Sequence, residues 1–273
     1  MKRVLFFLLL PVFSYTLMAQ SAGPSKKCPT CGLSLGKCKY RGTHTKPTKP
    51  QTPVRPTPSK PVAQQSTPSK PTRQGQTISQ ATGHENNHGW VDLGLSVKWA
   101  TCNVGASSPG DYGGHYAWGE TRTKSNYDRG NCFDCLDSTG DNWGTYKIGG
   151  KTQITPSSGH DTARENWGGT WRMPTYAELE ELSTKCQWTW TSREGHDGYL
   201  VTGSNGNSIF LPAAGWHDGM DSCDMDENGL YWSSTLGSSA SYDACYLSFD
   251  SSYHCTDDDG GRSYGLSVRP VTE

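Results

Sequence analysis

Four side chains near the start of the chain could bind a metal ion. They follow the pattern C-x2-C-x6-C-x5-H and are Cys28, Cys31, Cys38 and His44. Thiolates and an imidazole are ligands that tetrahedral Zn²⁺ prefers. The spacing therefore indicates a small structural zinc site. The alternative is a disulfide with one cysteine left over, because exported thiols meet oxidising conditions.

A second motif, His84-Glu85-Asn86-Asn87-His88, has the H-E-x-x-H form found in zinc proteases. Protease chemistry needs this pentapeptide on a helix, with both histidines on one face and the glutamate above the metal. Here glycines flank the motif and two asparagines occupy its middle, so the local sequence argues against a helix. We do not expect a protease.

A third pattern, Asp224, Asp226, Asn228 and Gly229, matches the opening of an EF-hand calcium loop. The bidentate glutamate expected six residues after the glycine is replaced by Thr235, so calcium binding is not expected. The run of three aspartates at 257–259 could coordinate the same ion, but acidic runs usually form solvated loop tips.

Seven cysteines lie in the C-terminal part of the chain, an odd number that cannot all pair within it. They stand at positions 102, 132, 135, 186, 223, 245 and 255. We expect a small disulfide loop at Cys-Phe-Asp-Cys (132–135), with a redox pair as the alternative. Cys245 and Cys255 flank a predicted hairpin and are candidate partners. Cys102 and Cys186 are expected to be buried thiols.

The last candidate site is a surface in the stretch from 242 to 262. Its members are Tyr242, Asp243, Tyr253, His254, Asp257, Asp258 and Arg262, set among serines and glycines. Tyrosine gives rigid contact area at low entropic cost, and small polar residues give adaptable hydrogen bonds, as in antibody paratopes. This composition predicts a binding surface for a protein or a glycan. Ordinary polar loops are the alternative.

The first nineteen residues have the features of a secretory signal peptide. Two basic residues precede an apolar run, VLFFLLLPVF, and the segment ends in Leu-Met-Ala. An uncleaved anchor is the alternative, but Pro11 and Ser14 interrupt a run that is short for a bilayer. We therefore expect an exported protein, whether secreted, periplasmic or at the cell surface. No transmembrane span is expected after cleavage.

Charge divides the remaining chain into two different parts. Residues 20–84 carry 11 Lys and Arg and no acid, whereas residues from Glu85 onward carry 12 basic and 26 acidic side chains. An acidic domain repels nucleic acid, so no nucleic-acid partner is expected for it. We divide the chain into a signal peptide (1–19), a zinc-ribbon-like segment (20–45), a disordered Pro/Thr/Lys-rich linker (46–83) and one domain (84–273).

Capping signals predict two helices within this domain. Thr175 followed by Glu178 forms a capping box, and apolar residues recur at helical spacing behind it, giving a helix near 175–185. A shorter helix is predicted from Asp161 to Trp167, ended by two glycines. Short β runs separated by turn residues fill the rest; they are VKWATC, YLVTG, SIFL, YWSS, CYLSF and SYGLSV. The class is therefore α+β, with strands in the majority.

Several long segments carry a family resemblance over residues 84–273. They are HGWVDLGLSVKWATCNVGA (88–106), YAWGE (116–120), WGGTWRMPTYAELEEL (167–182), NSIFLPAAG (207–215), YWSST (231–235) and YGLSVRP (264–270). In this order they resemble the Fibrobacter succinogenes major paralogous domain. That family is similar to the C-type-lectin-like fold, which also underlies formylglycine-generating enzymes. The resemblance implies twisted antiparallel sheets, two helices and long ordered loops, with a strand beginning near His84.

The fold and the C-terminal position of the polar stretch also resemble target proteins of diversity-generating retroelements, which mutate adenines. Tyr, Ser, Asp, His and Cys are all reachable from an Asn codon by such changes. None of the family segments pairs a nucleophile with a base, so we expect an exported, non-enzymatic binding module. The alternatives are an oxidase of the formylglycine-generating type using Cys245 and Cys255, and a structural cell-surface component.

Overall fold

A computed structural model describes residues 80–132, 152–238 and 242–273, apart from the side chains of residues 258 and 259. The elements are β1 (Gly83–Glu85), β2 (His88–Val91), β3 (Lys98–Ala100), a short 3-10 helix (Arg129–Asn131), α1 (Thr162–Trp167), α2 (Tyr176–Lys185), β4 (Gln187–Arg193), β5 (His196–Thr202), β6 (Ser208–Pro212), β7 (Trp216–Asp218), β8 (Asp221–Cys223), β9 (Gly229–Leu236), β10 (Asp243–Asp250), β11 (Tyr253–Gly261) and β12 (Val271–Thr272).

The strands form four antiparallel sheets, in the orders β1-β2-β3-β12, β11-β10-β9, β4-β5-β6 and β7-β8. In the first sheet β12, near the C-terminus, pairs with β3, near the start of the described residues. Strands outnumber helices, and the α+β class is confirmed. The predicted signal peptide, zinc-ribbon-like segment and almost all of the linker lie outside the described residues, and β1 begins at the linker's last residue.

Both predicted helices are confirmed, together with their caps. The Asp161 carboxylate accepts the amide of Arg164 at 3.0 Å to start α1, which ends at Gly168 with φ +67°. The Thr175 hydroxyl accepts the amide of Glu178 at 3.2 Å, and the Glu178 carboxylate accepts the amide of Thr175 at 2.8 Å. Local side chains therefore satisfy amides that the first turn of each helix leaves open.

The H-E-x-x-H segment forms a β-hairpin, so the absence of a helix here is confirmed. Asn86 and Asn87 occupy the turn between β1 and β2 with φ of 43° and 68°. Asparagine tolerates this left-handed region better than most residues and is favoured in tight hairpin turns. Glu85 pairs with His88 across the hairpin instead of standing above a metal site.

The sheet β11-β10-β9, called the central sheet below, has a hydrophobic core on each face. Tyr231, Leu247 and Phe249 belong to the first core, with the leucines of α2. On the opposite face Trp232 enters the second core, with partly exposed Tyr246 packed against it. Since side chains alternate along each strand, one sheet separates the two cores. The predicted burial of Cys245, Leu247 and Phe249 is confirmed.

Five of the six predicted β runs contain strands, and the exception is SYGLSV. Its residues make isolated bridges with three different segments: Gly265 with His217, Leu266 with Tyr116, and Ser267 with Tyr231. The run has β-type residues but changes partner at each position. No continuous ladder can form when successive residues pair with different elements.

Candidate functional site

The segments that carry the family resemblance serve mainly to hold the interior together. The guanidinium of buried Arg269 donates to the Asn103 side-chain oxygen at 2.8 Å and to the backbone oxygens of Ala100, Thr101 and Phe210 at 3.0, 3.1 and 2.8 Å. A planar group with several donors is suited to such a junction. It joins β3, the following loop and β6, so Arg269 has a structural role.

Three tryptophan indoles act in the same way. The Nε1 atoms of Trp118, Trp171 and Trp232 donate to the backbone oxygens of Ser233, Glu85 and Tyr116, each at 2.8 Å. All three rings are buried. Each bond joins segments far apart in the chain, and the pair formed by Trp118 and Trp232 fixes the loop at 116–118 to β9.

The structure buries three of the seven residues predicted for the ligand surface. Asp243, Asp257 and Arg262 are 9 %, 3 % and 0 % exposed. The Arg262 guanidinium lies over the Trp118 ring, 4.7 Å from its centre. A cation on an indole face is stabilised by the ring quadrupole, which offsets part of the cost of burial. These three residues are therefore interior positions of the domain.

Two further predicted residues, Tyr253 and His254, face opposite sides of β11. Tyr253 is partly exposed, and its hydroxyl lies 3.4 Å from that of Ser248. His254 instead turns towards the first core, where Nδ1 lies 3.0 Å from the Ser183 hydroxyl and the ring stacks on Trp188. Burial lowers the pKa of His254 to about 4, so it is neutral at pH 7.

Among the predicted residues whose side chains the structure describes, Tyr242 is the most exposed, at 50 %. The side chain of Asp258 lies outside the described residues. The seven residues do not form one continuous surface. Of the described ones, Tyr242 is exposed, and Tyr253 and His254 are each exposed only in part.

Partly exposed side chains on the second-core face form a more continuous surface, which we call the aromatic strip. Its members are Trp216, Leu230, Tyr246, Ser248, Tyr253 and Tyr264. The Trp216 and Tyr264 rings meet edge to face with centroids 5.0 Å apart. Leu230 lies opposite Ser248 in the ladder between β9 and β10.

Two consecutive glycines make room for rings of the strip. A side-chain carbon at Gly260 would lie 2.8 Å from the Tyr246 ring, and one at Gly261 would lie 3.2 Å from Tyr264. Such distances are shorter than ordinary van der Waals contact. The rings therefore lie close to the backbone of β11, where a larger residue would displace them.

The sequence predicts only part of this strip. The alternation in CYLSF placed Tyr246 and Ser248 on the face away from the first core, which is confirmed by their partial exposure. Trp216 and Tyr264 were missed, because they come from segments with no paratope-like composition. Their contact depends on the bridge that brings His217 beside Gly265, and no local pattern encodes it.

The cysteines do not form the expected hairpin disulfide. Cys245 and Cys255 are buried and are not joined by a disulfide. In the ladder Cys255 lies opposite Ser248, three positions from Cys245, so the predicted pair was wrong in register. Burial raises the pKa of the partly exposed Cys186 thiol to about 11. The pair at 132–135 stays a prediction, since Cys135 lies outside the described residues.

No group of three or more His, Cys, Asp or Glu side chains within the described ranges could hold a metal ion. The EF-hand-like residues have other contacts: Asp224 accepts from the Asn228 amide at 2.9 Å, and Asp226 lies 3.2 Å from the His196 ring nitrogen. The predicted zinc ligands Cys28, Cys31, Cys38 and His44 lie outside the described residues.

Within the described ranges, no helix combines the length and the apolar character needed to cross a membrane.

Comparison of the chain with protein-family models, curated proteins and solved structures finds no match. The fold and site together define an α+β protein with a central sheet between two cores and a strip of partly exposed aromatic residues on one face.

Proposed function

We propose that this chain is an exported, non-enzymatic binding module whose ligand, a protein or a glycan, contacts the aromatic strip and Tyr242. The observation that carries the proposal is that cores on both faces fix the central sheet while Tyr246 and Tyr253 on it, and Trp216 and Tyr264 from neighbouring segments, stay partly exposed. Rigid, amphipathic rings give large contact area with little loss of entropy on binding.

We also propose a C-type-lectin-like arrangement within the α+β class, and membership of the Fibrobacter succinogenes major paralogous domain. The antiparallel sheets, the two helices and the long loops support this arrangement. Further support comes from the positions of the shared segments, since Arg269, Trp118 and Trp232 all have interior structural roles. Residues that stabilise the interior would be kept among members of one family, while the residues of the binding surface differ.

An oxidase of the formylglycine-generating type would need an exposed cysteine pair of lowered pKa beside a groove. Both candidate sulfurs, Cys245 and Cys255, are buried, at 4 % and 2 % exposure. They are also displaced by three positions in the ladder. These features favour the binding proposal over the oxidase.

Binding is tested with the mature chain on a glycan array and on a panel of purified cell-surface proteins. The double variant Tyr242→Ser/Tyr253→Ser should weaken capture about tenfold or more while the thermal midpoint changes little. Tyr176→Ser is the matched control, since Tyr176 is also partly exposed but lies on α2. If neither panel gives a ligand, a structural cell-surface component replaces the binding module.

The proposed zinc site at residues 28–44 is tested separately. The purified mature chain should contain about one zinc per molecule if the three cysteines and the histidine coordinate it. The double variant Cys28→Ser/Cys31→Ser should lose that zinc. A zinc-free chain with a disulfide in this segment would contradict the proposal.

We further propose that retroelement diversification produced the residue types of the 242–262 stretch. Tyr, Ser, Asp, His and Cys all occur there, some of them exposed and others buried. The test is the genomic DNA around the coding sequence. A nearby template repeat that differs only at adenines supports the proposal, and the absence of any such repeat removes it.

A further inference from the structure

The aromatic strip has the chemistry of a site for a polyproline II segment, since it presents several partly exposed rings. Two of these rings, Trp216 and Tyr264, lie edge to face 5.0 Å apart, so their surfaces are inclined to each other. Proline-rich peptides dock on aromatic surfaces, and the extended helix loses little entropy because it is already ordered before binding. The strip therefore suits an occupant that presents prolines at regular spacing.

The chain carries such a segment itself, between residues 47 and 71. P-x-x-P occurs there five times, starting at Pro47, Pro50, Pro53, Pro58 and Pro68. In four of these five repeats a Lys or Arg immediately precedes the second proline. No acidic residue lies anywhere from 20 to 84.

Negative charge borders the strip on the side of Trp216. The indole nitrogen of Trp216 lies 3.5 Å from an Asp224 carboxylate oxygen. Exposed Asp218 and Asp221 lie opposite each other at the end of the same hairpin, β7-β8. At the other end, Asp250 closes the turn between β10 and β11. Carboxylates within about 10 Å of a docked lysine attract it at moderate salt. The strip and the segment are thus complementary in charge as well as in the pairing of aromatic rings with prolines.

The chain between the Pro-rich segment and the domain is long enough for the segment to fold back onto the domain. Residues 71 to 83 separate the last P-x-x-P from β1, and in an extended form they span roughly 35 Å. A domain of this size has a radius of gyration of about 16 Å. The connection is thus about twice this radius of gyration, so the segment can reach faces of the domain well away from β1. The tether gives a local concentration in the millimolar range, so weak contacts suffice.

We propose that residues 47–71 dock in cis on the aromatic strip as a polyproline II segment. This inference rests on the same surface as the proposed function. It adds a regulatory step, because a ligand must displace the segment before it reaches the rings. Affinity for the ligand is then reduced by the fraction of molecules in which the segment is docked.

Photo-crosslinking in the full mature chain tests the docking. Tyr264 is replaced by p-benzoylphenylalanine, and a second protein carries the same group at exposed Ala177 on α2 as the matched control. We expect crosslinks from position 264 to residues 47–71 within one chain, at least about fivefold more abundant than from position 177. Replacing every Lys and Arg between 46 and 73 by Gln should lower that yield severalfold.

Three results would overturn the proposal: equal yields from both positions, crosslinks from position 264 to other parts of the chain only, or crosslinks solely between two copies. The measurement uses no external ligand. It can therefore fail while the glycan and protein panels succeed, in which case the binding function stands without the docked segment. If the docking is seen and no ligand is found, the strip serves the chain's own segment alone.

Discussion

The ring of His254 stacks on that of Trp188, with centroids 4.3 Å apart and planes inclined by only 12°. Its Nδ1 atom also lies 3.0 Å from the hydroxyl of Ser183 on α2. The neighbouring Tyr253 faces the other side of the sheet and stays partly exposed. Two consecutive residues of one predicted surface therefore have different roles, one in packing and the other at the surface.

The replacement His254→Ala should lower the free energy of unfolding by about 1–3 kcal/mol, because it removes the stacked ring and leaves the Ser183 hydroxyl without that contact. Tyr253→Ala should change it by less than about 0.5 kcal/mol. Urea denaturation of both variants measures the difference. Equal losses would show that Tyr253 is also part of the packed interior.

The two histidines of the H-E-x-x-H segment should also differ. His88 stacks on Trp167 at 3.8 Å, whereas His84 is exposed. We expect His88→Ala to destabilise the protein by about 1–2 kcal/mol and His84→Ala to have almost no effect. A metal site would instead require both residues. Added zinc that stabilises the natural protein, but neither variant, would contradict the structural role given to the hairpin.

Removal of the Arg269 guanidinium should be among the most damaging single changes. The variant Arg269→Met leaves the Asn103 side-chain oxygen and three backbone oxygens without their donor, and we expect a loss of more than about 3 kcal/mol. Arg122→Met, at an exposed position, is the matched control. Denaturation midpoints measure both. If the Arg269 variant is as stable as the control, the hydrogen bonds of the Arg269 guanidinium are not needed for stability.

Stability should fall as the pH drops from 7 to 5. Burial, assisted by the nearby His217, lowers the pKa of His115 to about 4, whereas an unfolded histidine titrates near 6.5. The unfolded chain therefore binds more protons in this window, and the stabilisation present above pH 6.5 is lost on acidification. His115 accounts for on the order of 2 kcal/mol at pH 5.

The variant His115→Gln tests this dependence. Its free energy of unfolding, measured by urea denaturation at pH 7 and at pH 5, should change less than that of the natural protein. His84→Gln is the control and should keep the full dependence, since His84 is exposed. An unchanged pH dependence in His115→Gln would mean that other groups cause the acid sensitivity.

Local patterns were sufficient for the helices and for most strands. The capping box at Thr175 and the cap at Asp161 act within a few residues, so the sequence specifies them directly. The alternation in CYLSF likewise identified the buried face of β10. By contrast SYGLSV was predicted as a strand, but its residues bridge to three different segments. Strand propensity does not indicate whether a single neighbouring strand pairs along the whole run.

The candidate site was predictable only in part, for a similar reason. Residues such as Asp257 and Arg262 were expected at the surface, because the composition of the stretch resembles that of a paratope. Charge is also costly to bury without a partner. The ring of Trp118 beneath Arg262 changes that balance, and it comes from a segment 144 positions earlier in the chain. Composition could not show this contact.

The sequence by itself determined the elements whose causes are local: capped helices, the asparagine turn in place of a metal-binding helix, and the alternation of buried and exposed residues along strands. Only the tertiary structure decided which polar side chains are buried, that Cys255 lies opposite Ser248 and not Cys245, and that Trp216 meets Tyr264. The physical reason is that these outcomes depend on strand register and on bridges between distant segments. Register is set by packing of the whole domain, and a shift of one residue reverses the face of every side chain.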